Sequence, residues 1–297
     1  MARTTVEAWC DRWLEGYATR RPSTVRQAKV HVAQIEAAFG SLPLSAVRPS
    51  HVKSWTAKLK ADGKSTSYVY ALHARLAQVM ADAVHDGLLA RNPCSRRTSP
   101  GAGSQRAYVA TTEQVWALHD AMPKHLRIAV LLGAFVGLRK AEACGARVAD
   151  VDFMRGIVSP TVQSPGEPPK SEMSRTAVPI PNELALELSA AVKQWPATTV
   201  VSDGAGGVAA PWAIERAIRT ARAKVKGLPA GFRYHDLRHY FASLLISSGA
   251  DVKVVQARLR HASAKTTLDT YGHLWPGSDE SARAAVGVVL AARADSL

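Results

Sequence analysis

The stretch YHDLRHYFAS (234–243) gathers His235, Arg238 and His239 within five residues, just ahead of the apolar run Phe241 to Ile246. Charge at the mouth of a buried helix needs a partner. Other polar side chains look equally out of place along the same two-thirds of the chain. Arg139 stands in GLRKAEACGAR, directly after apolar residues 128–138, and Lys170 stands in the polar stretch QSPGEPPKSEMS. RLRHASAKTTLDTYGHL (258–274) then supplies His261 and, ten residues on, Tyr271.

Each has a plain explanation when taken alone. Arg139 could cap the C-terminus of its helix or pair with Glu142. His235 and His239 stand at i and i+4, as in a two-histidine zinc helix. However, Asp236 is not the usual glutamate and no third ligand is spaced to join them. Tyr271 could be an ordinary core or surface aromatic. Together they suit one reaction, attack on a phosphodiester. Two guanidiniums can hold non-bridging oxygens as negative charge builds on them. A tyrosine hydroxyl can form a covalent phosphoester that conserves the bond energy for religation. With a pKa of about 10, that hydroxyl needs a histidine or the guanidinium field to assist its deprotonation. A lysine on a flexible hairpin can protonate the departing oxygen. This chemistry calls for no metal and no cofactor.

These residues must be carried on elements, and the sequence suggests which. Windows 4–18, 21–40, 50–63 and 65–87 read as four helices with Gly- or Pro-bearing connections, a small bundle. In the last of these, Val69, Leu72, Leu76, Val79, Met80 and Ala83 recur at helical spacing. RNPCSRRTSPGAGSQR (91–106) has linker composition and carries Arg91, Arg96, Arg97 and Arg106. A second unit begins with the capping pattern Thr111 to Gln114. It continues as helices except over 156–181, where GIVSPTV and RTAVPIP flank a loop and predict a long hairpin with Lys170 near its tip. Helices resume at 182–194, 211–226, 235–248, 251–259 and 263–272. The expected fold is therefore mainly α with a small β-hairpin or sheet. The expected domains are 1–90, a basic linker over 91–108, a catalytic domain over 109–277, and a tail helix over 278–297.

Charge narrows the partner. The 297 residues carry 38 Lys/Arg against 24 Asp/Glu, a formal net charge of +14. Residues 1–105 hold 15 of those basic residues against 7 acidic ones, so the excess is denser in the first third. A polyanion is the partner this implies. The longest apolar run, 128–138, is too short to span a bilayer, and the N-terminus lacks an apolar signal core. A cytoplasmic protein without membrane attachment is expected. Cys10, Cys94 and Cys144 stand far apart, in no metal-like spacing, and read as reduced thiols.

The order Arg, Lys, His-x-x-Arg, His, Tyr resembles the tyrosine recombinase, or phage integrase, family. The matching stretches are GLRKAE, PKSEMSRTAVPIP, HDLRH and HASAKTTLDTYGHL. RPSTVRQ, FGSLPLSAVRPSHV and DGLLARNP resemble the family's core-binding domain, so the likeness covers nearly the whole chain. The resemblance implies that Arg139 and Arg238 clamp the scissile phosphate, and that His235 and His261 bond to it and share the acid–base work. Lys170 would protonate the leaving 5′ oxygen, and Tyr271 would attack to give a 3′-phosphotyrosyl link. His239 would be a structural hydrogen-bonder. Expected DNA contacts are Lys29, Lys64, Ser65, Thr66, Arg75, Arg96, Arg97 and Arg106. The implied partners are duplex DNA with inverted core repeats, three further copies of the chain in a tetramer, and an accessory DNA-bending protein. The tail helix would dock on a neighbouring copy.

Two features depart from the family pattern. Arg260 stands where glycine usually precedes the second histidine. The chain also opens almost at once with core-binding helices, which suggests either a short integrase or loss of an arm-binding domain. The expected role is integration and excision of a phage or related element. A chromosome-dimer resolving recombinase and a non-catalytic DNA-binding relative are the alternatives.

Overall fold

The computed structural model describes residues 4–103, 108–169, 172–275, 283 and 286–288. It divides into two compact units, residues 1–105 and 106–297. Lys170, Arg106 and nearly all of the 278–297 tail lie outside the described residues. Of that tail, Arg283 and 286–288 are helical and exposed.

The first unit is built from four helices, α1 (Val6–Tyr17), α2 (Pro22–Phe39), α3 (Pro49–Ala61) and α4 (Thr66–His85). Their starts follow from side-chain chemistry. The Thr5 and Ser65 hydroxyls accept from the backbone amides of Ala8 and Tyr68, and Pro22 and Pro49 open α2 and α3, where a missing N–H costs nothing. The inward faces of all four meet in one core of Val6, Trp9, Ile35, Leu72, Leu76 and Met80, among others. Two indoles tie α1 to α4: Trp9 donates to the Val79 carbonyl at 2.9 Å, and Trp13 to Asp82 at 2.6 Å.

Residues 92–100, whose composition suggested a free tether, belong structurally to this unit. Asn92 donates to the Ala77 carbonyl and Cys94 is buried. The Thr98 hydroxyl meets His73 at 2.9 Å, and Lys60 reaches the Pro100 carbonyl. Composition registers the scarcity of apolar side chains, not hydrogen bonds made to the backbone.

The second unit is mainly helical. Its elements are α5 (Thr112–Ala121), α6 (Arg127–Phe135), α7 (Lys140–Gly145), α8 (Asn182–Gln194), α9 (Pro211–Arg222), α10 (Tyr234–Ser247), α11 (Val252–Leu259) and α12 (Ala264–Tyr271). The expected small sheet is present, with three antiparallel strands rather than the two of a hairpin. Strands β1 (Val151–Asp152), β2 (Ile157–Val158) and β3 (Val178–Pro179) lie in sequence order, with Val158 opposite both Val151 and Val178. β1 escaped detection because two residues are too few to show alternation. No helix among the described residues is long and apolar enough to cross a membrane.

The central packing is α6 against α10. α6 is buried almost all round, and Gly133 permits the approach, since a Cβ there would meet Leu237 and Tyr234 at 3.0–3.1 Å. The sequence suggested a helix running through 138, but α6 stops at Phe135. Gly137 adopts φ +67°, a left-handed turn that redirects the chain. Val136 and Leu138 stay fully buried beside it, so the apolar pattern continues past the end of the helix. Arg139 therefore does not close α6; it opens α7.

A side chain at Gly137 would meet both the left-handed backbone and the Phe241 ring, which lies 2.5 Å from the position of its Cβ. Gly137→Ala should destabilise the second unit by about 2–4 kcal/mol, combining the left-handed cost with overpacking. Chemical denaturation measures this, and a loss below about 1 kcal/mol would mean that the turn relaxes freely.

Candidate active site

Four turns and helix starts bring the sequence-selected residues together. The turn at Gly137 delivers Arg139 to the first position before α7, where the Glu142 carboxylate accepts from the Arg139 backbone amide at 2.9 Å. The same carboxylate accepts from the Arg139 guanidinium at 2.8 Å, and that guanidinium also reaches the Ser174 hydroxyl. The sequence alternative of an Arg139–Glu142 pair is thus realised, and it orients the guanidinium rather than occupying it fully. Arg139 keeps 39% of its side-chain surface in solvent.

α10 begins because Asp236 accepts from the Arg233 amide at 2.6 Å. This start places His235 at the exposed mouth of the helix and Arg238 in the interior, with 1% exposure. The two terminal nitrogens of Arg238 donate to backbone carbonyls, one to Gly137 and the other to Leu259. The first carbonyl precedes Arg139 and the second precedes His261, so one guanidinium fastens both turns. A guanidinium has five donors, and these bonds account for two of them.

Arg260, which stands at the family's glycine position, holds φ +53° at the end of α11. Its side chain is buried, pairs with Glu142 at 2.7 Å and reaches the Gly137 carbonyl at 3.3 Å. Glu142 therefore lies between two arginines. Burial alone would raise its carboxyl, but Arg260 and Arg139 hold it below its ordinary value. Three guanidiniums against one carboxylate leave an excess of two positive charges in a largely dry cluster. Burial, followed by the charges of Arg139 and Arg260, lowers Arg238 to about 9. An anion placed here relieves that repulsion.

His261 follows Arg260 and is 9% exposed, with Nδ1 on the Thr267 hydroxyl at 2.9 Å. Its ring is parallel to that of Tyr271, the last residue of α12, with centroids 6.4 Å apart. Burial and then the Arg238 charge lower His261 to about 4. Tyr271 is 2% exposed, and its hydroxyl meets Nδ1 of His239 at 2.8 Å. Burial raises the phenol to about 12, against the pull of Arg238 and Arg139. The other tyrosines of the opening stretch are differently placed. Tyr234 is buried with its hydroxyl unpartnered, and Tyr240 meets Thr112 at 3.1 Å.

Arg139, His235, Arg238, His261 and Tyr271 thus converge; Lys170 lies outside the described residues. The sequence reading treated His239 as structural, Arg260 as a departure and Glu142 as an incidental partner, whereas all three touch the cluster. Only the spacing of Glu142, three residues after Arg139 at a helix start, carried a readable signal. No group of three His, Cys, Asp or Glu side chains suited to a metal ion occurs among the described residues.

Of the expected DNA contacts in the first unit, Lys29, Lys64, Ser65, Thr66, Arg96 and Arg97 are exposed. Arg75 is not freely presented. It is half-buried, lies over the Tyr17 ring at 5.0 Å and the Trp13 ring at 5.6 Å, and donates to the Tyr17 hydroxyl. Its charge is engaged within the bundle.

Comparison with known proteins places the chain by its sequence and fold. An integrase of Mycobacterium phage FRAT1 is 26% identical over 287 residues, covering 89% of this chain and 82% of the phage protein. The Tn1549 transposon integrase, solved in complex with transposon right end DNA, superposes with a TM-score of 0.79 at 19% identity, covering 97% of this chain and all of that one. A lambda integrase tetramer bound to a Holliday junction gives 0.71 at 19% identity, over 89% of this chain and 77% of that one. The model of the phage integrase family matches residues 109–276, more than half of the sequence and every residue of the cluster. The chain belongs to the phage integrase family.

Proposed function

We propose that this protein cleaves and rejoins duplex DNA through a 3′-phosphotyrosyl link to Tyr271, serving the integration and excision of a phage or related mobile element. The observation that carries the reading is the excess of two positive charges around Glu142, next to a shielded tyrosine hydroxyl. Arg139 and Arg238 would hold the non-bridging oxygens and stabilise the charge that grows on them during attack. His261 and His235 would bond to the same phosphate as neutral rings, since both are lowered from the ordinary imidazole value, chiefly by burial. Lys170 would supply the proton for the leaving 5′ oxygen, as the family resemblance assigns it. Duplex DNA with inverted core repeats, a tetramer of this chain and an accessory bending protein are the partners we infer, in the cytoplasm of a bacterial host.

Tyr271→Phe should bind DNA normally and form no covalent adduct on a nicked suicide substrate, because the ring stays and the nucleophile goes. A denaturant-resistant 3′ adduct from this variant would refute the assignment of the nucleophile.

Arg260→Gly tests two opposing effects. Glycine removes the left-handed cost of roughly 1 kcal/mol, but it leaves Glu142 one partner short, and breaking a buried pair costs about 3–5 kcal/mol. The second effect should win, with a net loss of roughly 2 kcal/mol or more and slower cleavage as Arg139 loosens. A gain in stability would mean that backbone relief dominates.

Binding should weaken steeply with salt, each phosphate contact contributing a log–log slope of about −0.9. Replacing the exposed Arg96 and Arg97 with Ala should flatten that slope by up to about two units. An unchanged slope in filter-binding titrations would remove both residues from the DNA interface.

A further inference from the structure

The Tyr271 hydroxyl is the atom on which the proposed reaction turns, and the sequence left open which histidine would assist it. Its partner is Nδ1 of His239, at 2.8 Å, with the two rings inclined at 63° and 5.5 Å apart. His235, one turn earlier on α10, is at the exposed helix mouth with its ring 4.9 Å from that of His239. His261 lies parallel to the tyrosine ring and places its own Nδ1 on Thr267. Of the three histidines, His239 is the one whose ring nitrogen is within hydrogen-bonding distance of the reacting oxygen.

We propose that His239 is a catalytic residue that holds the Tyr271 hydroxyl and takes its proton as the tyrosyl oxygen bonds to phosphorus, a role that rests on the reading of Tyr271 as nucleophile. The contact has the geometry a general base requires, a heavy-atom distance within direct hydrogen-bond reach. An acceptor must be a neutral imidazole, and burial, reinforced by Arg238, lowers His239 to about 4. The groups that meet it are His235 and Arg238 on its own helix and Tyr271 from α12. Without DNA, burial and the adjacent Arg238 guanidinium oppose an imidazolium, so the proton stays on the phenol. A bound phosphodiester brings the negative charge that offsets that guanidinium, which couples activation of the nucleophile to occupancy of the site.

The step balances. The Tyr271 Oη–P bond forms, the P–O5′ bond breaks, and the phenolic proton passes to His239 Nδ1. The leaving 5′ oxygen takes its proton from a separate donor, the place proposed for Lys170. In religation the 5′ hydroxyl attacks phosphorus, its proton returns to that donor, and the tyrosyl oxygen leaves with the proton held by His239.

His239→Asn retains a side-chain oxygen near the Nδ1 position that can still accept a hydrogen bond, but it cannot carry the proton away. Adduct formation on a nicked suicide substrate should slow roughly 100-fold, with gel-shift affinity and melting temperature unchanged. Installing 3,5-difluorotyrosine at position 271 makes the phenol more acidic. It should recover at least about tenfold of the loss in the Asn variant, while changing the wild-type rate by no more than about threefold. A purely orienting histidine would show equal responses to fluorination in both backgrounds, and that result overturns the proposal, as does a near wild-type rate for His239→Asn. If Asn disturbs folding, His239→Gln undergoes the same comparison with the same criteria. Adduct formation by Tyr271→Phe, measured in parallel, would instead refute the nucleophile reading.

Discussion

A single buried guanidinium holds the candidate site together. Arg238 donates to the carbonyl of Gly137 and to that of Leu259, so two chain segments more than a hundred residues apart share one rigid fork. A carbonyl left unpaired in this interior would cost on the order of 1–3 kcal/mol, and so would each unmet donor of the fork. Satisfying both at once fixes where Arg139 and His261 emerge. Lysine could not do this, because its ammonium lacks a planar pair of diverging donors.

The electrostatic consequence is a site built incomplete. Glu142 is the one acid set against three arginines, and it is bonded to two of them, Arg139 and Arg260. Buried charge of one sign is unfavourable unless a counter-charge arrives, so the native chain carries a cost that a phosphate offsets. Arg260 adds to that cost and to the organisation. A left-handed residue with a side chain is strained, and its guanidinium recovers part of that by bonding the Gly137 carbonyl that Arg238 also uses.

Much of this was legible in the sequence. The four helices of the first unit were legible in apolar residues at helical spacing, such as Val69, Leu72 and Leu76, and in the Gly- or Pro-bearing connections between them. Arg139, His235, Arg238, His261 and Tyr271 were selected from their types and order, and the fold brings them to one place. What escaped depends on contacts distant in sequence. The apolar pattern ran on through Leu138, so nothing in it marked the turn at Gly137. Arg75 read as a surface cation, and its aromatic stack with Tyr17 depends on a helix 58 residues away. His239 read as a structural hydrogen-bonder; that its partner is Tyr271 follows from where α12 ends, which periodicity does not encode.

The shielding of Tyr271, 2% exposed, has a meaning beyond the rate of attack. In the reaction proposed for Tyr271, a strand end is esterified to the protein, and water would then compete with the returning 5′ hydroxyl for the same phosphorus. Each time water wins, the strand is released with no bond energy left to reseal it, and a chromosome is left nicked or broken. The proposed nucleophile is seated away from bulk solvent, between the rings of His239 and His261, which would make that loss rare. For an element whose survival depends on the host it enters, the dry seat of one tyrosine is a safeguard for the genome on both sides of the junction.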